Sequence, residues 1–123
     1  MAKRKGKSQL PFDRRGGVTV QSKYMLASKA FLGLSAQAKV LLTLMHTHWR
    51  NDRPVGYGIR EAVEKIPCAK GTAQKVFKEL EEAGFIEKVD ESLFNSRVGS
   101  KTRTWHLTWL PFKDKPPTHD WEN

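Results

Sequence analysis

The order of apolar and polar positions along the chain predicts three helices in its middle part. Between residues 36 and 49 apolar residues recur at steps of three and four, which is the stripe of an amphipathic helix, and Ser35 stands before it as an N-cap. Similar stripes predict a short helix over about 59–66 and a longer one over about 70–83. Gly84 follows the last stripe, where a left-handed cap residue is expected.

Beyond Gly84 the pattern changes from the helical period to alternation. This alternation predicts two strands, over residues 85–89 and 103–109. In the second strand apolar positions alternate with polar ones, so that one face is expected to be buried. The apolar positions of that strand are Trp105, Leu107 and Trp109. Residues 90–102 between the strands are polar, which predicts a β-hairpin with a long, functional or mobile loop.

The two ends of the chain lack either period. Residues 1–17 are charged and polar and predict a disordered basic arm, whereas residues 111–123, with three prolines, predict an extended tail. The folded domain is therefore expected over residues 18–110. Within it, residues 29–34 predict a short helical turn that packs three side chains: Phe31, Leu32 and Leu34.

Three helices followed by a hairpin predict a mainly α protein with a β-hairpin wing, an α+β fold of the winged helix-turn-helix type with a three-helix core. Packing three narrow stripes together leaves the outer face of the last helix protruding. A protruding α-helix fits the major groove of B-DNA, and its amide-rich N-terminal end favours phosphate.

The side of residues 70–83 opposite the apolar stripe carries groups that can donate to phosphates or to base edges. We call this set the reading face; it consists of Lys70, Gly71, Thr72, Gln74, Lys75 and Lys78. Acidic residues gather in the second half of the helix, at Glu79, Glu81 and Glu82, and that half is expected to stay outside a groove. The alternative is an ordinary solvated helix face, on which Lys78 pairs with Glu81 or Glu82.

Further basic groups lie in the hairpin loop and in the N-terminal arm. The loop residues expected to contact the DNA backbone or the minor groove are Asn95, Ser96, Arg97, Lys101 and Arg103. The arm residues that could follow the backbone are Lys3, Arg4, Lys5, Lys7, Arg14 and Arg15. A solvated loop and an inert charged leader are the alternatives.

Composition supports a polyanionic partner without identifying one. The chain has 123 residues, 22 Lys and Arg against 13 Asp and Glu, and a net charge of +9. The same surplus also serves solubility. Cys68 is the single cysteine, which excludes an internal disulfide, and no apolar run suggests a signal peptide or a membrane span, so we expect a soluble, cytoplasmic protein.

The chain has no pattern typical of catalysis or of a metal site. His46 and His48 are two residues apart on a helix and do not share a face, and Cys68 is expected to be a packing residue. No catalytic motif or phosphate-binding glycine loop stands out. We therefore predict a binding protein rather than an enzyme, with no cofactor, no metal and no evident small-molecule ligand.

The four tryptophans divide into two groups. Trp49, Trp105 and Trp109 fall on core stripes and are expected to be structural. Trp121 lies in the tail, where it either folds back onto the domain or anchors a partner chain, since exposed aromatic residues often serve as interface anchors.

Several runs together resemble small winged-helix proteins of bacterial plasmids, prophages and integrated mobile elements. The runs that carry the resemblance are residues 34–42, 59–62, 71–75, 79–86 and 104–111, of which Thr-Ala, Glu-Leu-Glu-Glu-Ala-Gly-Phe-Ile and Trp-Leu-Pro are the most specific. The resemblance implies DNA binding in the transcriptional control or the replication of such an element, and so a bacterial protein located at the nucleoid. Two positions depart from it, since Ala69 and Gly58 stand where a Ser or Thr often caps the helix.

The leading hypothesis from the sequence is a transcription regulator that binds double-stranded DNA sequence-specifically, as a homodimer or a cooperative array, because one reading helix covers few base pairs. A replication initiator or accessory factor of a plasmid or phage is the first alternative. A winged-helix protein–protein adaptor is the second, because a fold does not fix a function.

Overall fold

The computed structural model describes residues 11–89 and 103–122. In these residues the chain forms five α-helices, three short strands and a 3₁₀ turn. The helices are α1 (Lys23–Leu26), α2 (Lys29–Leu32), α3 (Ala36–His46), α4 (Ile59–Lys65) and α5 (Lys70–Glu82). The strands are β1 (Val55–Gly56), β2 (Ile86–Lys88) and β3 (Thr104–Leu107), and the 3₁₀ turn is Asp120–Glu122.

The three predicted helices are present. Ser35 caps α3, since its Oγ accepts a hydrogen bond from the backbone N–H of Ala38 at 3.1 Å. The helix ends at His46, three residues before its predicted end. The next three backbone N–H groups bond to carbonyls only three residues back, so the chain tightens into a turn and leaves the helical path at Trp49.

Two four-residue helices precede α3, and each begins at a serine cap, Ser22 for α1 and Ser28 for α2. The predicted turn over residues 29–34 corresponds to α2. Its expected packing is correct for half-buried Phe31 and for buried Leu34, but wrong for Leu32, whose side chain is 58% exposed. The prediction missed α1 because four residues are too few to show a helical period.

The sheet is antiparallel with the strand order β1-β3-β2. The two hairpin strands are shorter than predicted, because the chain turns at residues 108–110. There Thr108 donates its Oγ hydrogen to the carbonyl of Gly84 at 2.6 Å and its backbone N–H to the carbonyl of Phe85 at 3.0 Å. Phe85 and Trp109 therefore lie outside the strands, yet both are buried.

An aromatic cluster fills the space between the helices and the sheet. Phe77 of α5 stacks on Trp105 of β3 with ring centroids 5.4 Å apart, and the indole N–H of Trp105 donates to the carbonyl of Tyr57 at 3.2 Å. Trp109 is buried and Trp49 is half-buried against the same core, as expected for structural residues. Trp49 also donates its indole N–H to the carbonyl of Pro111.

The C-terminal segment is not extended throughout, which corrects the prediction for residues 111–123. A tight turn at Phe112 and Lys115 begins it, and the 3₁₀ turn ends its described part. Trp121 is only 5% exposed and stacks on Phe85, with ring centroids 5.8 Å apart and planes at 4°. Of the two roles considered for Trp121, the structure shows the one in which it folds back, and the core therefore extends past residue 110.

The molecule is thus an α+β protein whose small three-stranded sheet covers a helical core. The order of helix α3, strand β1, helices α4 and α5, then strands β2 and β3 is compatible with a winged helix. Among the described residues, no helix combines the length and the apolar character needed to cross a bilayer.

Candidate nucleic-acid interface

The position of α5 is set by the apolar side that it buries. Ala73, Val76, Phe77 and Leu80 are at most 3% exposed, and the helix packs against α3 and α4 through this side. Because one side is held in this way, the opposite side of α5 must face outward.

The outward side of α5 is the reading face. Five of its six residues are exposed, namely Lys70, Gly71, Gln74, Lys75 and Lys78, and Thr72 is half-buried. Neither the described part of the hairpin nor the C-terminal segment covers it. The structure therefore brings these six residues together on one accessible surface, over the first two and a half turns of the helix.

The N-terminal end of α5 is open to an anion. Ala69 is the N-cap and makes no side-chain hydrogen bond to the first turn, as the sequence predicts, so the cap residue leaves the amides of that turn free. A Cβ added at Gly71 would meet nothing within 4 Å, so the surface of the first turn is open at Gly71. Free amides and the helix dipole together favour a phosphate at such an end.

Glu79 has a role that the sequence pattern did not reveal. Its carboxylate accepts from the backbone N–H of Ser35 at 2.7 Å and from the Ser35 hydroxyl at 2.8 Å. The side chain therefore joins α5 to the start of α3, while Glu81 and Glu82 stay exposed. In the described part of the chain no ion pair joins Lys78 to either of those two glutamates.

We expect Glu79→Ala to lower the free energy of unfolding by about 1–3 kcal/mol, because the start of α3 loses a charged hydrogen-bond acceptor. Urea denaturation followed by circular dichroism measures the change. Glu82→Ala is the matched control, with an expected change within about 0.5 kcal/mol, as at ordinary exposed positions. Equal losses in the two variants would show that the contact to Ser35 does not stabilise the fold.

A groove of about 540 Å³ lies between α5 and the base of the hairpin. Gln74 and Lys78 line it on the helix side, and Arg103 lines it on the hairpin side together with Trp105. The half-buried Arg103 is held in place because its carbonyl accepts from the backbone N–H of Tyr57 at 3.1 Å. The structure thus places one predicted hairpin residue beside the reading face.

The other predicted hairpin residues, Asn95, Ser96, Arg97 and Lys101, and four arm residues, Lys3, Arg4, Lys5 and Lys7, lie outside the described residues. Arg14 and Arg15 are described, and both are exposed. The guanidinium of Arg15 forms an ion pair with Asp13 at 2.6 Å, and this contact lowers the pKa of the Asp13 carboxyl. Both side chains of this pair remain exposed.

Buried polar side chains near the helices are kept neutral. Burial lowers the pKa of His46, whose ring lies 5.8 Å from that of Trp109. Burial, with a smaller contribution from the Glu61 carboxylate, raises the pKa of Tyr57 to about 12.

The two histidines of the predicted helix, His46 and His48, point to different sides. His46 is buried, whereas His48 is exposed and its Nε2 lies 3.3 Å from the Glu61 carboxylate. No metal-binding group of three side chains is found among the described residues.

Comparison with known proteins adds no relative. No family model, no curated protein and no solved structure matches the chain significantly. A function must therefore be inferred from the chemistry of the surfaces described above.

Proposed function

We propose that this protein binds double-stranded DNA sequence-specifically, as a cytoplasmic transcription regulator with a winged helix-turn-helix fold. In this proposal α4 and α5 form the helix-turn-helix, and α5 enters the major groove. The loop over residues 90–102 serves as the wing, with Arg103 at its base, and contacts the backbone or the minor groove.

The observation that carries the proposal is the accessible reading face on α5. Helix packing buries one side of α5 completely, yet leaves three lysines and Gln74 exposed on the other side. A helix of this exposure fits the width of the major groove, where lysine can donate to guanine and glutamine can bond adenine through two hydrogen bonds.

The charges along α5 set the orientation of the helix on DNA. The open N-terminal end and the three lysines lie in its first part, whereas exposed Glu81 and Glu82 lie in its last turn. Repulsion between these carboxylates and phosphates would keep the C-terminal end of α5 away from the duplex. The first two and a half turns of α5 therefore make the contacts.

We expect Lys75→Ala combined with Lys78→Ala to weaken binding to a duplex by about 10- to 100-fold at moderate salt, while the melting temperature stays unchanged. Both side chains are exposed, so their loss removes contacts to DNA and no packing. The slope of log K against log salt concentration should also fall by about two. Fluorescence anisotropy over a salt series, with a duplex selected from a random pool, measures both quantities.

Lys113→Ala combined with Lys115→Ala is the matched control. These two lysines are also exposed and carry the same charge, but they lie in the turn after β3, away from α5. The control should keep most of the affinity and nearly the full salt slope. Equal losses of duplex affinity in the two double variants would show that binding depends on overall charge and not on the reading face. Failure to select any duplex from the pool would contradict the proposal.

A further inference from the structure

A second surface of interest lies on the side formed by α1 and the C-terminal 3₁₀ turn. Tyr24 of α1 is 73% exposed and contacts Trp121 edge-on, with ring centroids 6.1 Å apart, while nearby Val20 is 76% exposed. Open grooves of about 400 and 300 Å³ flank Tyr24 on either side. We call this surface the Tyr24 patch; it consists of Val20, Tyr24, Lys29, Trp121 and Glu122.

The charge of the Tyr24 patch differs from that of the chain. The whole chain carries a net charge of +9, so two copies repel each other over most of their surfaces. The patch holds one cation, Lys29, and one anion, Glu122, which both line the groove of about 400 Å³. Among the described residues no ion pair joins the two. The patch therefore carries no net charge, and it has one available charge of each sign beside the exposed ring of Tyr24.

We propose that the Tyr24 patch binds a second copy of this chain across a twofold axis. In such an interface the same surface meets itself, so Lys29 of each copy faces Glu122 of the other, and Tyr24 of each copy enters the groove of the other. The inference rests on the proposed function for its purpose, since two reading helices are needed to recognise a DNA site of useful length.

The position of the patch fits this purpose. It is built from the residues before α1, from α1, from the start of α2 and from the C-terminal segment, and no residue of α5 lines either groove. A dimer formed through the patch therefore leaves the reading face of each copy accessible. The DNA site of such a dimer is an inverted repeat, because a twofold protein places its two reading helices on half-sites of opposite direction.

Charge reversal tests the pairing directly. Sedimentation equilibrium should show the full chain as a dimer, and Lys29→Glu or Glu122→Lys alone should raise its dissociation constant at least about tenfold. Mixing the two single variants should restore dimerisation, because each mixed pair then contains two opposite-charge contacts. A pairing within one chain would not respond to mixing, so unrestored dimerisation would overturn the proposed contact.

Tyr24→Ala tests the apolar part of the patch, and we expect it also to raise the dissociation constant at least about tenfold. Leu32→Ala is the matched control, since Leu32 is 58% exposed on the next helix but lines neither groove. A wild-type chain that is monomeric at about 100 µM would overturn the proposal. So would a Tyr24→Ala variant that dimerises as tightly as Leu32→Ala.

The outcomes separate this inference from the proposed function. Patch variants should still bind a single half-site with wild-type affinity, while the Lys75 and Lys78 double variant should still dimerise. A monomer that binds duplex DNA would contradict only the interface. A dimer that binds no duplex would contradict only the proposed DNA binding.

Discussion

Gly84→Ala is expected to destabilise the folded chain by about 2–5 kcal/mol. Gly84 has a φ of +87°, a left-handed conformation that alanine adopts only with strain. A Cβ at this position would also lie 2.6 Å from the carbonyl oxygen of Asp120, so the C-terminal backbone would have to move. Thermal and urea denaturation followed by circular dichroism measure the loss.

Gly71→Ala is the control for this prediction. Gly71 lies in the first turn of α5, and a Cβ there would meet nothing within 4 Å. We expect alanine at this position to be neutral or to stabilise the chain by up to about 1 kcal/mol, because alanine has the higher helix propensity. Equal stabilities of the two variants would contradict both the left-handed turn and the close approach of Asp120.

Trp121→Ala is expected to destabilise the chain by about 3–5 kcal/mol. The indole is 5% exposed and stacks on Phe85, and its N–H donates to Nδ1 of His119 at 3.2 Å. Its removal leaves a cavity that Tyr24, packed edge-on against the same ring, fills only in part. Trp121→Phe keeps an aromatic ring on Phe85 and should cost less.

The two substitutions should also be coupled. Without Trp121 the backbone at Asp120 is less firmly held and can yield to a Cβ at residue 84. The double variant should therefore lose less stability than the sum of the single losses, by at least about 0.5 kcal/mol in a double-mutant cycle. Strict additivity, or an unchanged stability of Trp121→Ala, would show that the C-terminal segment does not pack on the core in solution.

Much of the candidate site follows from local patterns. The apolar stripe of residues 70–83 alone assigns the buried side of α5, and the exposure of Lys75 and Lys78 follows from it. The absence of side-chain caps at Gly58 and Ala69 could also be predicted from the sequence, because a cap depends only on one residue and the first turn of its own helix.

Other features of the fold could not be predicted from any local sequence pattern. The strand β1 has two residues, and only its pairing with β3 makes it a strand. In the sequence, Glu79 is one of three glutamates in the second half of the helix, and nothing distinguishes it from the other two. In the structure its carboxylate binds Ser35, 44 residues earlier in the chain. The tail appeared extended because its prolines and polar residues show no helical or strand period, and the burial of Trp121 against Phe85 depends on a contact distant in sequence.

The sequence by itself determined α3, α4 and α5, their buried sides and the two hairpin strands, because hydrophobic period, caps and turn residues act over one or two turns of chain. Only the tertiary structure decided where the chain continues past residue 110, how Gly84 receives the backbone of Asp120, and that Glu79 binds Ser35 while Glu81 and Glu82 stay exposed. These features depend on contacts between segments far apart in sequence, and such contacts form only when the core brings the segments together.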